Sequence, residues 1–189
     1  PQSTRRKFKY FKLMNIEIAI KNACKELKKN KINSALLDSE LLLSKVIKKD
    51  RKFILLNLDK ELDESTHDNF KNLIFKRSKG KPLAYLTGIK SFWKYDFKVN
   101  EKVLIPRPDT EMIIEEVLKI YKNKNCLNFL EVGVGSGCIA LSILKEKKSF
   151  LGTGIDLSQD CVEICRYNAK KLGVSNRIKL IKSDVDNLI

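Results

Sequence analysis

The sequence predicts an α/β protein in two parts: a small N-terminal helical bundle and, after a β-hairpin linker, a partial parallel-sheet domain. Three observations predict it. Apolar residues recur at helical spacing from Met14 to about Ser78, strand-like and helix-like segments alternate from Leu127 onward, and a glycine-rich stretch, 133-GVGSG-137, joins a strand directly to a helix. The 189 residues are 43% hydrophobic and 32% charged, with only 8 Gly and 4 Pro, which sets aside collagen-like, low-complexity and disordered chains. No apolar run reaches the roughly 18 to 20 residues that a membrane-spanning helix needs, so a soluble protein with no membrane partner is expected.

The elements follow in order. Residues 1–13, PQSTRRKFKYFKL, carry five basic residues and no acid and precede Met14. They read as an upstream extension, a targeting remnant or a scar, and are set apart from the fold. From Met14, Ile16, Ile20, Ala23 and Leu27 make an amphipathic helix closed by Asn30 as a left-handed residue. A second helix runs from about Ser34, its cap, to Lys48, with Leu37, Leu41 and Val46 expected on the buried side. A short third covers Phe53 to Leu58. The fourth opens between Asp63 and Ser65 and stops at Gly80 and Pro82. Residues 14–81 thus form the bundle.

Residues 82–108 change character. Y-L-T-G-I, S-F-W and D-F-K-V, with Gly88 and Asn100 as punctuation, predict a hairpin bridging two units. Trp93, Phe92, Tyr95 and Phe97 are expected to pack between those units rather than to stack a base. The turn 104-LIPRPDTE-111 opens a helix capped by Asp109 or Thr110, with Met112, Ile113, Val117 and Leu118 on one face. Residues 109–189 then alternate: strand Leu127 to Val132, helix Gly137 to Leu144, strand Phe150 to Ile155, helix Ser158 to Leu172 closed by Gly173, strand Arg177 to Ile181.

Charge and cysteines narrow the function classes. The net charge of +15 divides into +5 on residues 1–13, which are disproportionately basic, +6 on 14–81 and +4 on 82–189; this favours an anionic partner by long-range attraction, or simply reflects a lysine-rich solvated surface. Five cysteines, an odd number with no framework spacing, and one histidine predict a reducing compartment, cytoplasmic or an organelle matrix if residues 1–13 are a targeting remnant, and no metal. Cys161 and Cys165 read as a packed core pair, and His67 as a surface or capping residue.

The candidate site lies in 129-FLEVGVGSGCIAL-141. A buried strand ends in an acid, a glycine turn follows and a helix starts at once, leaving the amides of the helix start free to face a ligand. A dinucleotide fingerprint would need glycine where Cys138 stands, and a phosphate-binding P-loop would need a Lys followed by Ser or Thr; neither is present. The E-x-G-x-G-x-G form is the S-adenosylmethionine pattern. Asp156 follows the second strand in T-G-I-D, where a carboxylate can accept from both ribose hydroxyls, and Asp184 follows the third in I-K-S-D, where the adenine amino group would lie. The ligand-facing set is therefore Glu131, Gly133, Val134, Gly135, Ser136, Gly137, Asp156, Asp184 and Val185.

The segments 38-DSELLLSKVI-47, 77-RSKGKPLAYLTGIKSFW-93, 103-VLIPRPDTE-111, the glycine loop, 154-GID-156 and 167-YNA-169, in this order, resemble the methyltransferases that modify the glutamine side chain of peptide chain release factors, the HemK or PrmC family. The resemblance implies a Rossmann-like class I methyltransferase domain, S-adenosyl-L-methionine as cofactor, a release factor as protein substrate held partly by the helical domain, and a monomer with no need to bind nucleic acid. The family usually has Thr where Val134 stands and an aromatic residue where Val185 stands. Its catalytic Asn-Pro-Pro-Tyr motif, which follows a fourth strand, is absent, no proline following Pro108. The motif would lie beyond Ile189, so no catalytic residue is expected in this chain and the chain reads as a C-terminally truncated piece. Arg107 and Glu111 are candidates for shaping the cofactor entrance. Two other functions share parts of this pattern: an adenine-N6 type nucleic-acid methyltransferase, and a non-catalytic translation-factor-binding module.

Overall fold

A computed structural model describes residues 14–184. The chain divides after Thr87 into two compact units. In the first, β1 (Met14–Asn15) pairs antiparallel with β2 (Glu61–Leu62), so Met14 begins a two-residue strand and Asn15 caps α1 (Ile16–Lys29), its side chain accepting from the Ile18 amide at 2.9 Å. The left-handed residue after α1 is Lys31 (φ 59°), not Asn30. α2 (Ala35–Ile47), α3 (Arg51–Leu56) and α4 (Glu64–Ser78) follow, with Asp50 capping α3 and Asp63 capping α4 through the amides of Phe53 and Thr66. Ile16, Ala23, Leu27, Leu42, Leu43, Ile54 and Phe70 build their shared core.

The buried face of α2 differs from the expected one. Leu37 is 44% exposed, and the side turned inward is Ala35, Asp38, Ser39, Leu42 and Leu43. With leucine at 36, 37, 41, 42 and 43 the apolar pattern fits two faces, and a salt bridge decides between them: buried Asp38 accepts from Arg77 of α4 at 2.7 Å. Glu40 similarly takes Arg51 at 2.6 Å. α5 (Leu83–Thr87) closes this unit, so Tyr85–Thr87, expected as strand, is helix.

The second unit begins with the hairpin β3 (Ile89–Phe92) and β4 (Tyr95–Lys98), turning tightly at Trp93 (φ 57°). A 3-10 turn at Pro108–Thr110 leads into α6 (Glu111–Ile120), whose buried anchor is Ile114 rather than Met112 or Ile113, both exposed. Then come β5 (Asn128–Val132), α7 (Cys138–Glu146), β6 (Leu151–Asp156), α8 (Gln159–Leu172) and β7 (Ile178–Lys182). The three strands are parallel in the order β5-β6-β7, which leaves β5 at an edge among the described residues. Ser158 caps α8 and Gly173 (φ 70°) closes it, as the sequence predicts. The aromatic residues of the hairpin belong to this unit's own core: Phe92 and Phe97 meet edge to face at 6.2 Å and pack with Ile114, Leu141 and Phe150. The sequence reading put them between two units; their place in this unit's core follows from the hairpin folding back onto α6 and α7.

Candidate functional site

The site grows from the carboxyl ends of parallel strands, where loops leave the sheet and a ligand crevice forms. Between β5 and α7, Gly133, Gly135 and Gly137 take φ values of 74°, 53° and 79°, a region that side-chain-bearing residues avoid. The loop is sewn to the end of β6: the amides of Gly133 and Val134 both donate to the Ile155 carbonyl at 2.9 Å, and the Gly135 amide donates to Asp156 Oδ2 at 2.9 Å. The Gly137 amide then turns back onto the Val134 carbonyl at 2.7 Å.

The glycines serve two different needs. A Cβ on Gly137 would stand 2.5 Å from Cys165 Sγ and 2.8 Å from Leu141 Cδ1, so this glycine lets α7 and α8 close together. Gly154 on β6 is likewise bare because Val134 Cγ2 would lie 2.8 Å from its Cβ. Gly133 faces open space instead, with nothing within 4 Å of an added Cβ. Val134 is therefore a correction to the ligand-facing set. Its side chain is buried against Gly154, its amide is spent on Ile155, and its carbonyl accepts from Gly137.

α7 starts with Gly137 at its cap position, which has no side chain to offer. Glu131 substitutes for it from the preceding strand, Oε2 accepting from the Ala140 amide at 2.8 Å. The acid of the motif is thus first of all a helix cap. Burial pushes its carboxyl up to about 7; the Ala140 bond works against that rise, and the nearby Asp156 charge adds to it. The amide of Ser136 finds no acceptor among the described residues, and those of Cys138 and Ile139 have only the weakly accepting Cys138 thiol beside them, so donors remain for a ligand at the loop and helix start.

Asp156 uses both oxygens to build the loop, Oδ2 on Gly135 and Oδ1 on the Ser158 amide at 2.9 Å. The Cys161 thiol also hydrogen-bonds this carboxylate, and with about four lone-pair directions in all, one remains for a ligand. Asp184 is exposed two residues past β7, at the same edge of the sheet, the Ser183 amide donating to the Asp156 carbonyl at 3.1 Å. Val185 lies outside the described residues, as does Ile189, beyond which the sequence reading puts the catalytic motif.

Several residues find other work. Glu111 Oε1 accepts from the strained Trp93 amide at 2.7 Å and so holds the hairpin turn, while Arg107 is exposed. Cys161 and Cys165 are buried as expected, and burial pushes the Cys165 thiol up to about 12. The described residues contain no cluster of His, Cys, Asp or Glu that could hold a metal ion, and no helix among them is long and apolar enough to cross a membrane. The residue that sequence reading missed is Asn168. Buried on α8, it bonds the backbone of both β4 and the glycine loop. The sequence reading quoted it only inside 167-YNA-169 and gave it no role, its one physical signal being a polar side chain on an apolar helix face.

Comparison with known proteins bears on the first unit directly. Residues 19–88 match the family described as the PrmC N-terminal domain. The family resemblance read from the sequence holds over most of the chain. It is 39% identical to the release factor glutamine methyltransferase of Leptospira interrogans over 84% of this chain and 56% of that protein. The Clostridium acetobutylicum enzyme of the same name is 36% identical over 91% and 60%. The bifunctional methyltransferase of Rickettsia conorii is 35% identical over 90% of this chain and 37% of its own length. The chain thus spans little more than half the length of the release factor glutamine methyltransferases it matches. A solved methyltransferase from Geobacter sulfurreducens superposes on 44% of this chain and 32% of its own with a TM-score of 0.38 at 24% identity, and the α/β assignment rests instead on the strand order above.

Proposed function

We propose that this chain binds S-adenosyl-L-methionine at its glycine loop, and that the protein transfers the methyl group to the side-chain amide of a glutamine in peptide chain release factors. The observation that carries the cofactor reading is the loop itself: open space over Gly133, helix-start amides with no strong acceptor, and an Asp156 carboxylate with a lone-pair direction to spare. Those features fit a ligand with a diol and several acceptors. A pyrophosphate is disfavoured by the spacing, since Cys138 stands where a dinucleotide fingerprint has its last glycine and no lysine followed by Ser or Thr closes the loop.

In this reading Gly133 and Gly135 line the approach, the amides of Ser136, Cys138 and Ile139 donate, and Asp156 accepts from the ribose hydroxyls. Asp184 and Val185 are proposed for the adenine side. The bound cofactor supplies a sulfonium-activated methyl group for in-line transfer, leaving a thioether. An amide nitrogen is barely nucleophilic, so most of the acceleration must come from alignment and from hydrogen bonds that polarise the amide. Glu131 and Asp156 keep the loop in place for that alignment, and the PrmC N-terminal domain is proposed to hold the release factor.

The formal charge of +15 favours a second reading, methyl transfer to a planar amine of a nucleic acid. Transfer of labelled methyl groups to a purified release factor and to ribosomal RNA separates the two. Label on the release factor glutamine is expected; label on RNA alone sinks the protein-substrate assignment. Calorimetry with S-adenosylhomocysteine tests the cofactor site, and absence of binding overturns it.

A further inference from the structure

The glycine loop is held unevenly. Its first half is tied to β6 by three bonds, from Gly133, Val134 and Gly135. Its second half, where the free amides lie, has the Gly137 turn and one tie from outside the loop, at the Ser136 carbonyl. That tie is Asn168. Its Nδ2 donates to Ser136 O at 2.9 Å and to Lys98 O at 3.1 Å, while its Oδ1 accepts from the Lys98 amide at 2.8 Å. The side chain is 1% exposed, and all three of its partners are backbone atoms, two of them on the last residue of β4.

We propose that Asn168 is a positioning residue for the ligand loop, one that fixes the Ser136–Gly137 peptide and makes the hairpin β3–β4 part of the loop's support. The inference rests on the cofactor reading above and deepens it. Three glycines at positive φ give this loop wide conformational freedom, so the orientation of the free amides has to be imposed from outside. A carboxamide does this well, since its planar donor pair and its acceptor satisfy three backbone groups at once. The hairpin it draws in is anchored at its turn as well. Trp93 Nε1, Tyr95 Oη and Lys94 Nζ all donate to Glu146 at the far end of α7, each at 3.0 Å. The hairpin therefore grips α7 at its last turn and, through Asn168, the loop at its first.

Asn168→Asp keeps an acceptor for Lys98 and removes both donors, setting a carboxylate against two carbonyl oxygens; Asn168→Leu removes all three bonds at similar volume. Val174→Ala, a buried core change with no bond to the loop, is the control. Calorimetry with S-adenosylhomocysteine is expected to show about ten-fold weaker binding in both Asn168 variants and no more than about two-fold weakening in Val174→Ala, even where the control loses as much thermal stability. Retained affinity in the Asn168 variants, or equal loss in the control, overturns the proposal. Where the variants do not fold, the wild-type protein decides: ligand addition should shift the Asn168 side-chain amide resonances, and unmoved resonances overturn it. If wild-type protein binds no S-adenosylhomocysteine, the cofactor reading falls. The positioning role is then judged by the ligand-free amide resonances of Ser136 to Ala140, which must move in Asn168→Asp and stay in place in Val174→Ala.

Discussion

The two units bury polar side chains in opposite ways. In the helical unit the buried acids find side chains: Asp38 meets Arg77 and Glu40 meets Arg51, between helices. In the α/β unit polar side chains satisfy backbone: Glu131 takes the Ala140 amide, Asp156 those of Gly135 and Ser158, and Asn168 the backbone of Lys98 and Ser136. A side-chain pair fixes which helix faces meet and leaves no polar atom over. Bonds to a loop's backbone fix its shape instead and leave its other amides available, which is what a binding site requires. The contrast separates packing chemistry from site chemistry in one chain.

The largest expected effect breaks the first pattern. Arg77→Ala strands the buried Asp38 and should cost the helical unit about 3 to 4 kcal/mol, read from helical circular dichroism during urea unfolding. The single tryptophan, Trp93, reports only on the α/β unit, and its fluorescence transition should stay in place. Asp38→Leu combined with Arg77→Met should restore most of the loss, and a double variant as weak as Arg77→Ala would contradict the pairing argument.

Next is Gly137→Ala, which forces a methyl to 2.5 Å from Cys165 Sγ at a φ of 79°. About 3 kcal/mol should be lost from the α/β unit through overpacking and backbone strain, moving the Trp93 transition and sparing the helical one. An unmoved Trp93 midpoint would mean that α7 and α8 have more slack than their separation implies.

Asp156→Ala removes the acceptor for two loop amides together with the proposed ribose contact. S-adenosylhomocysteine binding should weaken by roughly 1.5 to 3 kcal/mol. Unchanged affinity in calorimetry would remove Asp156 from the site.

The smallest effect depends on pH. Because the Glu131 carboxyl is raised to about 7 in the fold from an ordinary 4.5, the unfolded chain loses this proton first as pH rises. The stability it contributes is whole below about 4.5 and is given up between there and about 7. Glu131→Gln, still an acceptor for Ala140, should therefore be more stable than the wild type at pH 8 by about 1 to 2 kcal/mol, the gap closing towards pH 4.5. Parallel stability curves for the two proteins across that range would show that Glu131 ionises as freely as an exposed acid.

How legible each feature was depended on how local its cause is. The helix starts near Asp63 and Ser158, the Gly173 stop and the glycine turn between strand and helix have causes within a few residues, and the structure has each where spacing puts it. The buried face of α2 was misread because its leucines fit two faces and the deciding contact comes from Arg77, 39 residues away. The sequence reading began this helix at Gly137, a residue with no capping side chain, yet did not give Glu131 the cap, because that acceptor comes from the preceding strand.

The sequence alone therefore determined the two-part α/β order, the strand-loop-helix site and the acid at the end of β6, since backbone propensity and hydrogen bonding over short spans act before any long-range contact forms. Only the tertiary structure decided which polar groups pair with which. It turned Val134 inward onto Gly154, gave Glu131 to Ala140, and brought Asn168 to a loop 32 residues away and a hairpin 70 residues away. The physical reason is that a buried polar atom must find a partner wherever the packed chain brings one, and sequence spacing carries no record of that distance.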